Sequence, residues 1–128
     1  MVLDTSAILA ILLAERDNER LLEQISHSPI VVVGAPTVVE TAIVLSSRLK
    51  RDARPLVDGF LRESEAEVIP FSREHYAVAM GAFLRYGKGR HAASLNFGDC
   101  LTYAVASIAQ LPLLATGNDF PRTDLTMA

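Results

Sequence analysis

A single cysteine, Cys100, stands in a chain of 128 residues. It has no partner for an internal disulfide, which fits a reducing cytoplasm, and it excludes a cysteine-rich zinc site. Excess positive charge is missing too: 12 basic against 15 acidic side chains leave a formal net charge of −3. Bulk charge therefore cannot grip nucleic acid, and any phosphate partner needs local neutralisation. Long apolar runs are absent. The longest, residues 7–14, is far short of the roughly 20 residues that cross a bilayer. It is not a signal peptide either, because Asp4 precedes it, no Lys or Arg does, and Glu15, Arg16 and Asp17 close it. There is no internal repeat, low-complexity tract or linker. What remains reads as one soluble cytoplasmic domain, residues 1–128.

Half the residues are hydrophobic and 21% are charged, which excludes a disordered chain. A chain of this length buries roughly two-thirds of its unfolded surface and needs no disulfide or metal to fold.

Short β-branched runs at residues 1–3, 30–33, 68–69 and 112–115 read as buried strands. Segments with helical spacing separate them. Residues 7–13 are apolar all round, as in a buried helix. Residues 17–27 place Leu21, Leu22 and Ile25 on one stripe. Pro36 opens a helix over residues 37–50, in which Val38, Val39, Ala42, Ile43 and Leu49 take core-facing positions. Further helices are expected at residues 56–65, 72–86 (Ser72 as cap, His75 three residues on) and 96–110. Residues 86–96, YGKGRHAASLN, lack any hydrophobic period and read as an exposed loop. Strands spaced by helices predict an α/β domain, a central and mainly parallel sheet with helices on both faces.

Most acids stand among other charges, as solvated residues do. Four do not. Asp4 follows the first strand and Asp119 comes soon after the last. Glu40 and Asp99 lie near the N-terminal ends of helices, where a carboxylate gains about 0.3–1 kcal/mol. In open parallel sheets, sites form beyond the carboxyl ends of strands, so all four can face one pocket. Such a gathering is costly: two unit charges 4 Å apart repel by about 4 kcal/mol at an effective dielectric near 20. Either some acids are protonated or a cation lies among them. All-oxygen ligands favour Mg²⁺ or Mn²⁺, and such an ion would activate a water toward a phosphodiester.

The opening MVLDTSA, Glu40 in PTVVETAIVL, the stretch YGKGRHAASLNFGDCLTYAVA and the ending PLLATGNDFPRTDL resemble PIN-domain ribonucleases, above all the VapC toxins of bacterial toxin–antitoxin pairs. The resemblance covers nearly the whole chain. It implies a PIN-like fold and a Mg²⁺- or Mn²⁺-dependent endoribonuclease. Asp4, Glu40 and Asp99 would be metal-binding acids. A fourth acidic or amide position would follow the last inner strand, where Gly117 takes the common place of an Asp or Asn. Asn118 and Asp119 are the candidates, and Asp119 is favoured because it can ligate as an anion. Thr5 and Ser6 would support the carboxylates. The resemblance also implies a VapB-like antitoxin, a homodimer, and a structured RNA substrate such as tRNA or ribosomal RNA. Apolar faces between Pro36 and Glu65 would line the antitoxin groove.

Other readings compete. Asp4 and Asp99 can be helix caps, Glu40 a surface residue and Asp119 a turn residue. Arg85, Lys88, Arg90 and His91 are candidate RNA contacts or a solvated loop. Lys50, Arg51 and Arg54 suit a helix end whatever the function. Cys100 reads as a small buried hydrophobe rather than a nucleophile. Nothing brings two of His27, His75 and His91 together as an acid–base pair. A phosphotransferase with Asp4 as nucleophile needs a second aspartate where Ser6 stands. A non-catalytic RNA- or partner-binding module leaves Asp4, Glu40 and Asp99 unexplained.

Overall fold

The computed structural model describes residues 1–128. Four strands form one parallel sheet: β1 (Val2–Leu3), β2 (Val32–Gly34), β3 (Glu67–Ile69) and β4 (Leu113–Leu114), in the order β3-β2-β1-β4. The connections carry α1 (Thr5–Leu12), α2 (Asn18–Ser26), α3 (Ala35–Leu49), α4 (Arg54–Glu63), α5 (Arg73–Tyr86) and α6 (Phe97–Ala109). Successive side chains on a strand point to opposite faces. Val2, Val32 and Leu113 accordingly meet α5 and α6, whereas Leu3, Val33 and Leu114 meet α1, α2 and α4. Both faces are covered, as a parallel sheet requires.

The strand order places the site. From β1 the chain steps outward to β2 and β3, then returns to add β4 on the other side of β1. The reversal falls between β1 and β4, where crevices form outside the carboxyl ends of strands. Asp4 ends β1 at that crevice.

Several expectations need correction. Residues 68–69 are not a buried strand: β3 is the sheet edge, with one neighbour, and Val68 is exposed. Ile30 is exposed and lies outside β2, which starts at Val32. Leu22 leaves the buried stripe of α2, which keeps Leu21 and Ile25. The largest departure is α3. It buries Thr37, Thr41 and Leu45, and turns Val39 (57% exposed), Ile43 (61%) and Leu49 outward. Arg54 does not end α3 with Lys50; it opens α4 and ion-pairs with Asp52 at 2.7 Å. The segment at residues 86–96 is exposed only at its tip. Ala93 and Leu95 are buried, and backbone bonds between Lys88 and Leu95 and between Leu95 and Tyr86 close its base. The chain end, unmarked by any strand pattern, pairs as well: Met127 bridges to Leu113 beyond β4.

Candidate active site

Asp4 is 5% exposed and ends β1 as the cap of α1. Its Oδ2 accepts from the Ser6 N–H at 3.0 Å and from the Ser6 hydroxyl at 2.6 Å. The Ser6 hydroxyl in turn accepts from the Thr116 N–H at 3.0 Å, which ties the end of β4 to the end of β1. Asp4 Oδ1 accepts from the Thr102 hydroxyl of α6 at 2.9 Å. The Thr37 hydroxyl of α3 lies 3.3 Å from the Thr102 hydroxyl. Thr102 has one hydroxyl proton and spends it on Asp4, so Thr37 is the donor in that pair.

Asp99 stands in the first turn of α6 and forms a reciprocal cap with Asn96. Asp99 N–H donates to Asn96 Oδ1 at 2.9 Å, and Asn96 N–H donates to Asp99 Oδ2 at 3.0 Å. Asp4 and Asp99 thus both serve as helix caps. Burial pushes the Asp99 carboxyl up to about 6, and the charges of Asp4, Asp119 and Glu40 add to it, against the Asn96 N–H. The charges of the other three predicted acids therefore all reach Asp99.

Glu40 is half-buried in the second turn of α3. Its carboxylate packs on Gly98: a Cβ at residue 98 would approach Glu40 Cδ to 3.1 Å and Oε2 more closely still. Gly34 has the same role about two turns further along α6, since a Cβ there would lie 2.8 Å from Val105 Cγ2. The α3–α6 seam thus matches Gly34 with Val105, Thr37 with Thr102, and Glu40 with Gly98. Two glycines let the helices close, and the closure presents Glu40 beside Asp99.

Asp119 is exposed, ahead of the 3₁₀ turn Phe120–Arg122, and makes no side-chain cap. Asn118 is exposed beside it. Thr5 Oγ1 is buried with no hydrogen-bond partner. No three His, Cys, Asp or Glu side chains already close round a metal ion. Asp4, Glu40 and Asp119 lie within electrostatic range of Asp99. Their donor set is all oxygen, which suits a hard divalent cation.

Thr37, Thr102 and Thr116 were missed by sequence reasoning. Spacing could have found two of them. Thr37 and Glu40, like Asp99 and Thr102, are three residues apart and share a helix face.

The basic cluster is less free than its sequence suggests. Arg85 lies 3.6 Å from Asp124 and 4.7 Å above the Tyr86 ring. Arg90 lies 5.3 Å from the Phe83 ring centre, and His91 packs edge-on against Tyr86. Lys88 is exposed. Arg122 donates to the Ala92 carbonyl at 2.9 Å and anchors this loop just ahead of α6. Cys100 is buried, and burial first, then Asp99, pushes its thiol up, so it stays protonated. His27 caps α2 and His75 caps α5, each far along the chain from His91.

Beside Glu40 opens an apolar groove of about 410 Å³. Pro36, Val39 and Ile43 of α3 and Phe97 and Leu101 of α6 line it, and Phe97 is 82% exposed. A second depression of about 590 Å³ continues across Val38, Val39, Ala42 and Ile43 to Val57 of α4.

Known proteins resemble this chain in sequence and in fold. The PIN domain model matches residues 1–125. Ribonuclease VapC36 of Mycobacterium tuberculosis is 49% identical over 128 residues, spanning 98% of this chain and 91% of its own. The chain belongs to the VapC family of PIN-domain ribonucleases. Ribonuclease VapC of Mycolicibacterium smegmatis is 38% identical, over 98% of this chain and 97% of its own. Among solved structures, Mycobacterium tuberculosis VapC20, described as a sarcin–ricin loop cleaving toxin, superposes with a TM-score of 0.79. It is 15% identical, and the match covers 99% of this chain and 97% of the other. A toxin–antitoxin complex from Klebsiella pneumoniae gives 0.73 at 17% identity, over 99% and 95% of the two chains. These two establish the PIN fold. No helix is long and apolar enough to cross a membrane.

Proposed function

We propose that this VapC-family chain is a Mg²⁺- or Mn²⁺-dependent endoribonuclease toxin of the cytoplasm, silenced by a VapB-like antitoxin. The observation that carries the reading is the convergence of the Asp4, Glu40 and Asp119 charges on the half-buried Asp99 at the carboxyl ends of the strands. Asp4, Asp99 and Glu40 would hold the cation, with Asp119 as the fourth acid. When bound, the cation supplies a water of lowered pKa and a positive charge for the phosphoryl oxygens. The chain's own residues do the positioning. Ser6 and Thr102 fix the two oxygens of Asp4, and Asn96 fixes one oxygen of Asp99. Thr5 Oγ1, buried and unpartnered, is free to bond to a water of the site. The exposed Lys88, with Arg85, Arg90 and His91, offers local contacts for RNA phosphate. The substrate is a structured RNA such as tRNA or ribosomal RNA. The apolar face from Phe97 across α3 to Val57 receives the antitoxin, and the active form is a homodimer.

The test is cleavage of total bacterial RNA by antitoxin-free protein in Mg²⁺ or Mn²⁺ and in EDTA, with Asp4→Asn and Asp4→Ala beside wild type. Discrete cuts that require both metal and Asp4 support the reading. Equal cleavage by wild type and variants contradicts it, and RNA binding without cleavage favours a binding module.

A further inference from the structure

We propose that Thr37 and Thr102 form a hydrogen-bond relay that sets the plane of the Asp4 carboxylate, with Thr102 as a positioning residue for the cation. The proposal rests on the metal reading above. The two oxygens of Asp4 have different duties. Oδ2 is committed to the start of α1 through Ser6. Oδ1 has one donor, Thr102. The terminal torsion of an aspartate is broad, so bonds at one oxygen limit the carboxylate's swing without fixing its plane. A donor on Oδ1 narrows that swing further and leaves a second lone pair on that oxygen for a ligand.

Thr102 needs help to point that way. A threonine inside a helix divides between two rotamers, because its hydroxyl can bond back to the carbonyl one turn earlier. Thr41 does this on α3: its hydroxyl donates to the Thr37 carbonyl at 2.8 Å. Thr102 instead turns its hydroxyl into the α3–α6 seam, where the Thr37 hydroxyl meets it at 3.3 Å. All three threonines are buried, so none exchanges these partners for bulk water. Two polar side chains from separate helices have thus been placed in the interior where alanine or valine would pack, and their one product is an oriented Asp4.

The experiment is Mn²⁺ binding by isothermal titration to the RNA-free, antitoxin-free protein. Thr102→Val should weaken binding about 10-fold or more, the range typical of lost support for a metal ligand. Thr102→Ser, which keeps the hydroxyl, should stay within about twofold, and Thr37→Val should lose about threefold, since it acts only through Thr102. The double variant should bind no worse than Thr102→Val alone, because the two residues work in series. Thr41→Val, equally buried on the same helix, should bind as wild type does. Wild-type affinity in Thr102→Val, additive losses in the double variant, or an equal loss in Thr41→Val each overturn the relay. If Thr102→Val does not fold, Thr37→Val decides alone: a threefold loss supports the relay and none overturns it. If wild type takes up no Mn²⁺, the metal reading fails, and melting in EDTA judges the relay. Thr102→Val should then lower Tm by about 3 °C with Asp4 present and hardly at all on an Asp4→Ala background. An equal drop on both backgrounds overturns it.

Discussion

Helices α1 and α3 invite comparison. Each follows an inner strand directly, each begins at the acidic crevice, and each is rich in Val, Ile, Leu and Ala. They differ in what they bury. α1 packs Ala7, Ile8, Leu9 and Ala10 into the core, as its composition suggests. α3 packs Thr37 and Thr41 inward beside Leu45 and leaves Val39 and Ile43 in solvent. Core burial alone would rotate α3 the other way, at roughly 1.5–3 kcal/mol per large apolar side chain buried. The observed rotation keeps Thr37 against Thr102 and brings Glu40 over Gly98. The core accounts for the face α1 buries, whereas α3 gives part of its inner face to the Thr37–Thr102 pair and leaves apolar side chains exposed.

The sharpest way to break this contrast is to truncate one isoleucine on each helix. Ile8→Ala should cost about 2–5 kcal/mol in a denaturant melt, because Ile8 is almost fully buried. Ile43→Ala should stay within about 0.5 kcal/mol, as an exposed side chain does. The same Ile43→Ala should weaken antitoxin binding in a pull-down with the cognate partner. Equal destabilisation by the two substitutions would refute the contrast.

Gly98→Ala gives the next effect. A glycine replaced by alanine gains up to about 1 kcal/mol inside a helix, and less in the first turn, where Gly98 stands. Here the new methyl strikes the Glu40 carboxylate. Cleavage should fall about 10–100-fold, as displaced catalytic groups commonly cause, while Tm changes by only a few degrees. A variant as active as wild type would show that Glu40 is not needed where it stands.

A smaller effect comes from Asp99. Its folded-state value, about 6, lies above that of an ordinary aspartate. Between roughly pH 4 and pH 6 the folded chain holds a proton that the unfolded chain has released, so stability falls as pH rises. The penalty is complete above pH 6. In EDTA, Asp99→Asn should therefore melt a few degrees above wild type at pH 7.5 and converge with it near pH 4. Asparagine can still accept the Asn96 N–H, so the cap survives the change. An Asp99→Asn protein that melts well below wild type in EDTA at pH 7.5 would show that the acids do not strain one another.

The same contrast explains what could be read in the sequence. The inner strands were legible because Val2, Leu3, Val32, Val33, Leu113 and Leu114 form short, wholly apolar runs. Asp4, Glu40 and Asp99 were legible as acids out of place beside such runs. The face of α3 was not, because periodicity counts apolar residues and cannot see that two threonines have prior claims on the interior. Thr102 was hidden for a related reason: a lone hydroxyl in an alanine-rich helix acquires meaning only when another helix supplies its partner. The edge position of β3 depends on sheet order, which no local pattern encodes. The loop at residues 86–96 was half legible. Its glycines and charges mark the exposed tip, but nothing local announces that Ala93 and Leu95 anchor it in the core.

The central claim is that these acids gather a divalent cation at the β1–β4 crevice. Anomalous diffraction from crystals grown without antitoxin and soaked in Mn²⁺ tests it most directly. The account predicts a peak with Asp4 and Asp99 oxygens at about 2.1 Å and Glu40 close by. A peak elsewhere, or none from a preparation that cleaves RNA in Mn²⁺, would contradict it.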